Sequence, residues 1–131
     1  MHAEIVMVLR LLLAAALGAI IGYQRERAGK PAGLRTHTLI CVGAALFTIA
    51  SIYGFGAADP ARVAAGIVAG IGFLGAGAII RTREHIVGLT TAASIWAVAA
   101  VGLTAGAGLY LISAVTTAVI MIILLLPHPI R

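Results

Sequence analysis

Three groups of residues in this 131-residue chain have types and spacings that could do chemistry. Gly70, Gly72 and Gly75 spell G-x-G-x-x-G, the spacing with which a strand–turn–helix cradles a dinucleotide pyrophosphate. Gln24-Arg25-Glu26-Arg27, continued by Lys30 and Arg35, sets one acid among four bases. That cluster is either a solvated loop with a local ion pair, or a folded-back loop in which Glu26 holds Arg35 or Arg81. The third group is scattered: Arg10 inside an apolar run, Asp59 and Arg62 flanking Pro60, and Arg35-Thr36-His37 at the start of another apolar run. Arg35 and Thr36 offer donors to an anion or a lipid headgroup. Arg10 either snorkels to an interface or faces inward, paired with Asp59 or Glu4.

Catalytic sets are missing from the sequence. No Ser-His-Asp trio, H-E-x-x-H or Walker lysine can be assembled, so no enzyme and no cofactor are expected. Cys41 stands alone in an apolar run and reads as a small buried hydrophobe. A hard cation wants several oxygens, yet none of the four acids falls in the middle of an apolar segment, so the sequence names no metal site.

The elements that must position these groups follow from composition. The chain is 62% hydrophobic and 10% charged, against roughly 25% charged in an ordinary soluble domain. It has too few polar residues to cover a water-facing surface, which a bilayer makes unnecessary. Five apolar segments, about 5–22, 34–53, 63–80, 89–105 and 109–126, are each near the length that crosses ~30 Å of hydrocarbon. They predict one membrane domain over 1–131, an all-α bundle of about five spans. Asp59-Pro60 should cap and start the third helix, Thr90 and Thr91 the fourth, and Gly106-Ala107-Gly108 should turn the fourth into the fifth. Trp96, about seven residues into its segment, is expected to pack internally. Arg25, Arg27, Lys30, Arg35, Arg81, Arg83 and Arg131 would share one side, which positive-inside bias makes cytoplasmic, with the N-terminus outside. The net charge of +5 then points to anionic membrane lipids and not to nucleic acid.

That frame decides the glycine stretch Gly66–Arg81. A dinucleotide site needs a strand before, a helix after and an acid about 20 residues on. Charges arrive at Arg81 and Arg83, and no acid follows Glu84. As a membrane helix the stretch makes better sense. Gly66 and Gly70 form G-x-x-x-G on one face, while Ala65, Ala69, Gly72 and Ala76 form a second small-residue face. Gly75 and Gly77 extend the thinning. Gly18-x-x-x-Gly22 and Gly102-x-x-x-Gly106 supply candidate partners within the chain, and the same surfaces suit a homo-oligomer. A partly unwound third helix lining an ion path is the other option.

The sequence also resembles a family. Gly18-Ala-Ile-Ile-Gly-Tyr-Gln-Arg-Glu-Arg27, Ala32-Gly-Leu-Arg-Thr-His37, Gly43-Ala-Ala-Leu-Phe47, Arg62-Val-Ala-Ala, Gly70-Ile-Gly-Phe-Leu-Gly-Ala-Gly77 and Gly88-Leu-Thr-Thr-Ala-Ala-Ser-Ile-Trp96 are similar, in order, to the transmembrane domain of MgtC/SapB proteins. Where that family commonly shows E-R-E, this chain has Gln24-Arg25-Glu26-Arg27, so only part of the cluster carries over. Many members add a cytoplasmic ACT-like domain after the last span; this sequence resembles the form without it. The resemblance implies a multi-pass protein of the bacterial inner membrane, linked to survival at low magnesium and, in pathogens, to virulence. It also implies a regulator of membrane partners, the ATP synthase among them, with a magnesium-related transporter or channel as the alternative.

Overall fold

A computed structural model of the chain describes residues 2–55, 59–81 and 86–127, with the backbone alone at 80, 81, 86 and 87. Five helices account for nearly all of it: α1 His2–Arg27, α2 Leu34–Tyr53, α3 Pro60–Gly77, α4 Leu89–Gly106 and α5 Tyr110–Leu124. Between α3 and α4, Ile80–Arg81 (β1) and Ile86–Val87 (β2) pair antiparallel, Ile80 opposite Val87. The connections are short, so the helices alternate in direction. One end of the bundle gathers the end of α1 and the starts of α2 and α4. The opposite end gathers the start of α1, the ends of α2 and α4, and the start of α5. Arg25, Arg27, Lys30 and Arg35 mark the first as the basic end.

Among the described residues, four helices are long and apolar enough to cross a membrane. The 26 residues of α1 span roughly 39 Å at ~1.5 Å each, more than the hydrocarbon thickness, so its Gln24–Arg27 end projects beyond it. Only 15 residues of α5 are helical, about 22 Å, shorter than the segment 109–126 suggests. The packing is inverted relative to a water-soluble bundle. Leu39, Phe47, Phe73, Leu111 and Ile122 are largely exposed, while the core sets Ala14, Gly18, Cys41, Ala45, Gly102, Ala105 and Ser113 around Leu17, Ile21, Val98 and Val101. Trp96 is 57% exposed and faces outward, not inward as its position suggested. Lipid is as apolar as leucine, so hydrophobicity does not draw these helices together; close backbone approach and dispersion do.

α2 packs most extensively against α1 and α4, and α4 in turn touches all four other helices. A Cβ added at Gly18 would stand 2.7 Å from the Cys41 Cβ, and one at Gly22 2.8 Å from the Leu34 Cα. On the other side of α2, a Cβ at Gly102 would overlap the Cys41 carbonyl, and one at Gly106 would reach within 2.6 Å of the Ala45 oxygen. The two glycine pairs expected to receive α3 therefore receive α2. Small residues on one helix allow approach by any smooth neighbour, and the short α1–α2 turn presents α2 first.

α3 is continuous from Pro60 to Gly77, started by Asp59, whose carboxylate accepts from the Ala61 amide at 3.0 Å. It is not unwound. It buries only Ile67 and Gly75, with 6% of its span inside the molecule against 28–50% for the other three long helices. A Cβ added at Gly75 would stand 3.4 Å from the Ala92 carbonyl of α4, ordinary contact distance, whereas one at Gly66, Gly70, Gly72 or Gly77 would meet nothing within 4 Å. The start of α4 also differs from expectation. Gly88, at φ +91°, takes the left-handed conformation against the Ala78 carbonyl and precedes the helix, with no side-chain cap from a threonine. Thr91 turns inward instead.

Candidate functional site

The buried polar groups collect at the two ends of the bundle. At the basic end, the last turns of α1 point Arg25 between α2 and α4, where it is 3% exposed. Its Nη2 donates to Thr91 Oγ1 at 3.1 Å, and its buried Nε has no hydrogen-bond partner among the described residues. A guanidinium taken out of water and given one neutral acceptor is costly. Thr91 is joined to the next turn by Ser94, whose hydroxyl donates to the Thr91 carbonyl at 2.8 Å. His37, fully buried on α2, completes the set: Nε2 lies 2.8 Å from Ser94 Oγ, and Nδ1 lies 3.0 Å from the Gly33 carbonyl oxygen.

Proton counting constrains this cluster. A carbonyl only accepts, so Nδ1 carries a hydrogen and donates to Gly33. Ser94 has one hydroxyl hydrogen facing two acceptors, the Thr91 carbonyl and, in a neutral ring, Nε2. The neutral cluster is thus one hydrogen short of full satisfaction. The sequence suggested an interfacial histidine here. It did not suggest Thr91 or Ser94 as its partners; the available signal was the i, i+3 spacing of two of the four hydroxyls of α4.

Glu26 does not pair with Arg35, and its proposed hold on Arg81 lies outside the described residues. It reaches across the turn, and its Oε1 accepts from the Leu34 amide at 3.0 Å. α2 has no N-cap side chain of its own because Gly33 occupies that position; the carboxylate of α1 does the job, and any side chain at Gly33 would meet it. Gly29, at φ +74°, ends α1, with the Gly29 amide bonding the Glu26 carbonyl and the Lys30 amide bonding the Arg25 carbonyl. Arg35 and Thr36 are exposed on the first turn of α2. The side chain of Arg81 lies outside the described residues, as do Arg83, Glu84 and Arg131.

At the opposite end Arg10 faces the bundle, and its partners are tyrosines rather than Asp59 or Glu4. Nε donates to the Tyr110 hydroxyl and Nη1 to the Tyr53 hydroxyl, both at 2.9 Å, with Nη1 also 3.2 Å from the Gly106 carbonyl. The guanidinium carbon lies 5.7 Å from both ring centroids. One side chain of α1 thereby ties together α2, α4 and α5. Hydrogen bonds from a charged donor contribute about 1.5–3 kcal/mol. Arg10→Gln is expected to destabilise the detergent-solubilised protein by about 2 kcal/mol, read from denaturant-dependent circular dichroism, and Tyr53→Phe with Tyr110→Phe to reproduce most of that loss. Asp59 caps α3, and Arg62 is exposed one turn into it.

Among the described residues no three His, Cys, Asp or Glu side chains gather as a metal site. The chain also keeps an apolar furrow of about 550 Å³ between α2 and α3, lined along α3 by Val63, Gly66, Gly70 and Leu74. The α3 face turned away from it carries Ala65, Ala69, Gly72 and Ala76, all exposed.

Apolar spans, a small-residue core and charges confined to the two ends define a multi-pass helical membrane protein. Residues 11–131 match the model of the MgtC family, and the chain belongs to that family. It is 50% identical over 111 residues to the putative magnesium transporter YhiD of Escherichia coli K12, covering 79% of this chain and 52% of that protein. It is 49% identical over 113 residues to protein MgtC of Brucella abortus, covering 86% and 48% respectively. It is 43% identical over 122 residues to protein SrpB of Synechococcus elongatus, covering 82% and 67%. The chain thus spans about half the length of the first two. No solved structure matches it.

Proposed function

We propose that this protein is a regulatory membrane protein of low-magnesium adaptation, acting in the bacterial inner membrane by helix contacts with membrane partners. In this reading the basic end is cytoplasmic, as positive-inside bias requires, and no step of covalent chemistry is involved. The observation that carries it is the bareness of α3. A helix that buries 6% of its span, and turns Ala65, Ala69, Gly72 and Ala76 outward along one face, is shaped for backbone-close contact with another helix. A second copy of the chain is one such partner; by family resemblance the ATP synthase is another, and virulence in pathogens would follow from such regulation.

The alternative is the magnesium-related transporter suggested by the name of the Escherichia coli relative. It is less well supported by the donors present. The buried groups at the basic end are a guanidinium, an imidazole and two hydroxyls, whereas magnesium takes near-octahedral oxygen ligands and keeps several waters. The continuous α3 has no break along its length that would free carbonyls in mid-span either. The two readings separate experimentally. Gly72→Leu, and separately Ala69→Leu, should reduce cross-linking of the chain to its membrane partners, and growth in low-magnesium medium, by fivefold or more at unchanged protein level. Purified protein in liposomes that moved Mg²⁺ at a rate lowered by Glu26→Gln would sink the regulatory reading.

A further inference from the structure

We propose that the furrow between α2 and α3 seats one acyl chain of an anionic glycerophospholipid, whose phosphate is held at the basic end by Arg35 and the Thr36 hydroxyl. The furrow is lined by Leu39, Gly43, Phe47, Gly66, Gly70 and Leu74, among others, and its volume of about 550 Å³ falls in the ~300–1,000 Å³ range of pockets that hold small organic ligands. A Cβ at Gly43, Gly66 or Gly70 would meet nothing within 4 Å, so three positions of the slot are left without side chains. Leu39, Phe47 and Leu74 are exposed along it. A helix ~10–12 Å across would rest on those side chains and leave the slot beneath unfilled; a hydrocarbon chain enters it.

The furrow has a direction. Through Leu39, Ile40 and Leu74 it continues into a second hollow of about 460 Å³, which reaches Pro31, Thr36 and Gly77 at the basic end. Its lining thus passes from hydrocarbon alone to a hydroxyl, as a glycerophospholipid does from tail to headgroup. The charge at that mouth is complementary to phosphate: Arg35 is exposed beside Thr36, and Arg27 and Lys30 are exposed in the adjoining turn. Glu26, the neighbouring acid, is already bonded to the Leu34 amide. Basic residues at a membrane surface favour anionic over zwitterionic lipid. The Ala65–Ala76 face of α3 is not involved, so this site stands or falls apart from the partner contact proposed above.

The test uses the full chain, purified, stripped of lipid and reloaded from mixed vesicles of phosphatidylglycerol and phosphatidylcholine with identical acyl chains. Native mass spectrometry counts what stays bound. The wild type should retain one phosphatidylglycerol per chain, and 1 mM inorganic phosphate should not displace it. Gly70→Phe fills the furrow and should cut retention at least tenfold with helical content unchanged. If that variant loses helicity, Gly66→Leu makes the same measurement one turn away. Arg35→Gln combined with Thr36→Val should lower the preference for phosphatidylglycerol about fivefold, the loss expected for one basic residue, while leaving chain-dependent binding in place. Equal retention by the filled variants, or of the two lipids by the wild type, overturns the proposal. So does displacement by free phosphate, or a Gly43→Cys cross-link between copies that forms faster than one at Ala65→Cys, which would put a second chain in the furrow.

Discussion

Arg25→Met should leave the bundle at least as stable as the wild type, by between ~0 and ~3 kcal/mol, and should abolish complementation of growth in low-magnesium medium. The stability half of this result follows from the cost of the buried charge. Arg25 is 3% exposed, makes one hydrogen bond to Thr91 and leaves Nε unpartnered among the described residues. Exchanging buried ionic groups for apolar ones of similar volume is often neutral or stabilising by about 1–4 kcal/mol, and methionine fills irregular space well. The functional half follows from the same fact: a buried charge that gives the fold so little is placed to act on something other than the fold. Arg25→Ala is a poor substitute for this experiment, because it adds a cavity whose cost of about 2–5 kcal/mol would hide the effect. Thermal or denaturant unfolding in detergent supplies one axis, growth the other. A methionine variant destabilised by more than about 1 kcal/mol would make Arg25 a structural tie, like Arg10.

Gly102→Leu and Gly72→Leu should differ sharply although the substitution is the same. At Gly102 the added side chain begins by overlapping the Cys41 carbonyl and the Ala44 methyl, and backbone cannot yield as a flexible side chain does. The α2–α4 contact must open. Overpacking typically costs 1–3 kcal/mol, occasionally more; because this overlap is with backbone, we expect about 3 kcal/mol or more, seen as loss of the folded species at modest denaturant. At Gly72 the added atoms meet nothing within 4 Å, and leucine is the better helix former by about 0.8 kcal/mol or less. Stability should hold or rise slightly while partner cross-linking falls. Equal destabilisation at both positions would mean that α3 is packed far more tightly than its exposure indicates.

These two glycines also show what the sequence carries and what it leaves open. Segment lengths and the scarcity of charge were enough for a polytopic helical protein, and Asp59-Pro60 marked the start of α3 by elementary capping rules. The G-x-x-x-G pairs marked closeness without naming the neighbour, because a missing side chain has no partner preference of its own. Gly18, Gly22, Gly102 and Gly106 all lie close against α2 in the structure, a neighbour that their spacing could not name. Polar groups were legible in proportion to their isolation. Arg10 stood out as a charge in an apolar run, but its tyrosine partners lie 43 and 100 residues away and no local pattern links them. Thr91 and Ser94 looked like ordinary polar residues near a helix start, because their role depends on Arg25 and His37 arriving from two other helices. Glu26 was read as an ion-pair partner because it sits among arginines; the unmet Leu34 amide, fixed by Gly33, is the stronger claimant on its carboxylate.

The packing of α2 between α1 and α4 bears on how the chain is made. α2 can dock on α1 as soon as both have left the ribosome, since the turn between them is short and Glu26 already holds the Leu34 amide. Its other main contact, α4, is synthesised only after α3. During that interval α3 has no fourth helix to lean on, and the α2 surface that will take Gly102 and Gly106 lies open to lipid. The nascent protein therefore passes through a three-helix stage that buries less than the finished one, and quality-control proteases of the membrane would find it there. Substitutions that weaken the α2–α4 contact should shorten the protein's lifetime in the cell before they measurably change the shape of the mature bundle.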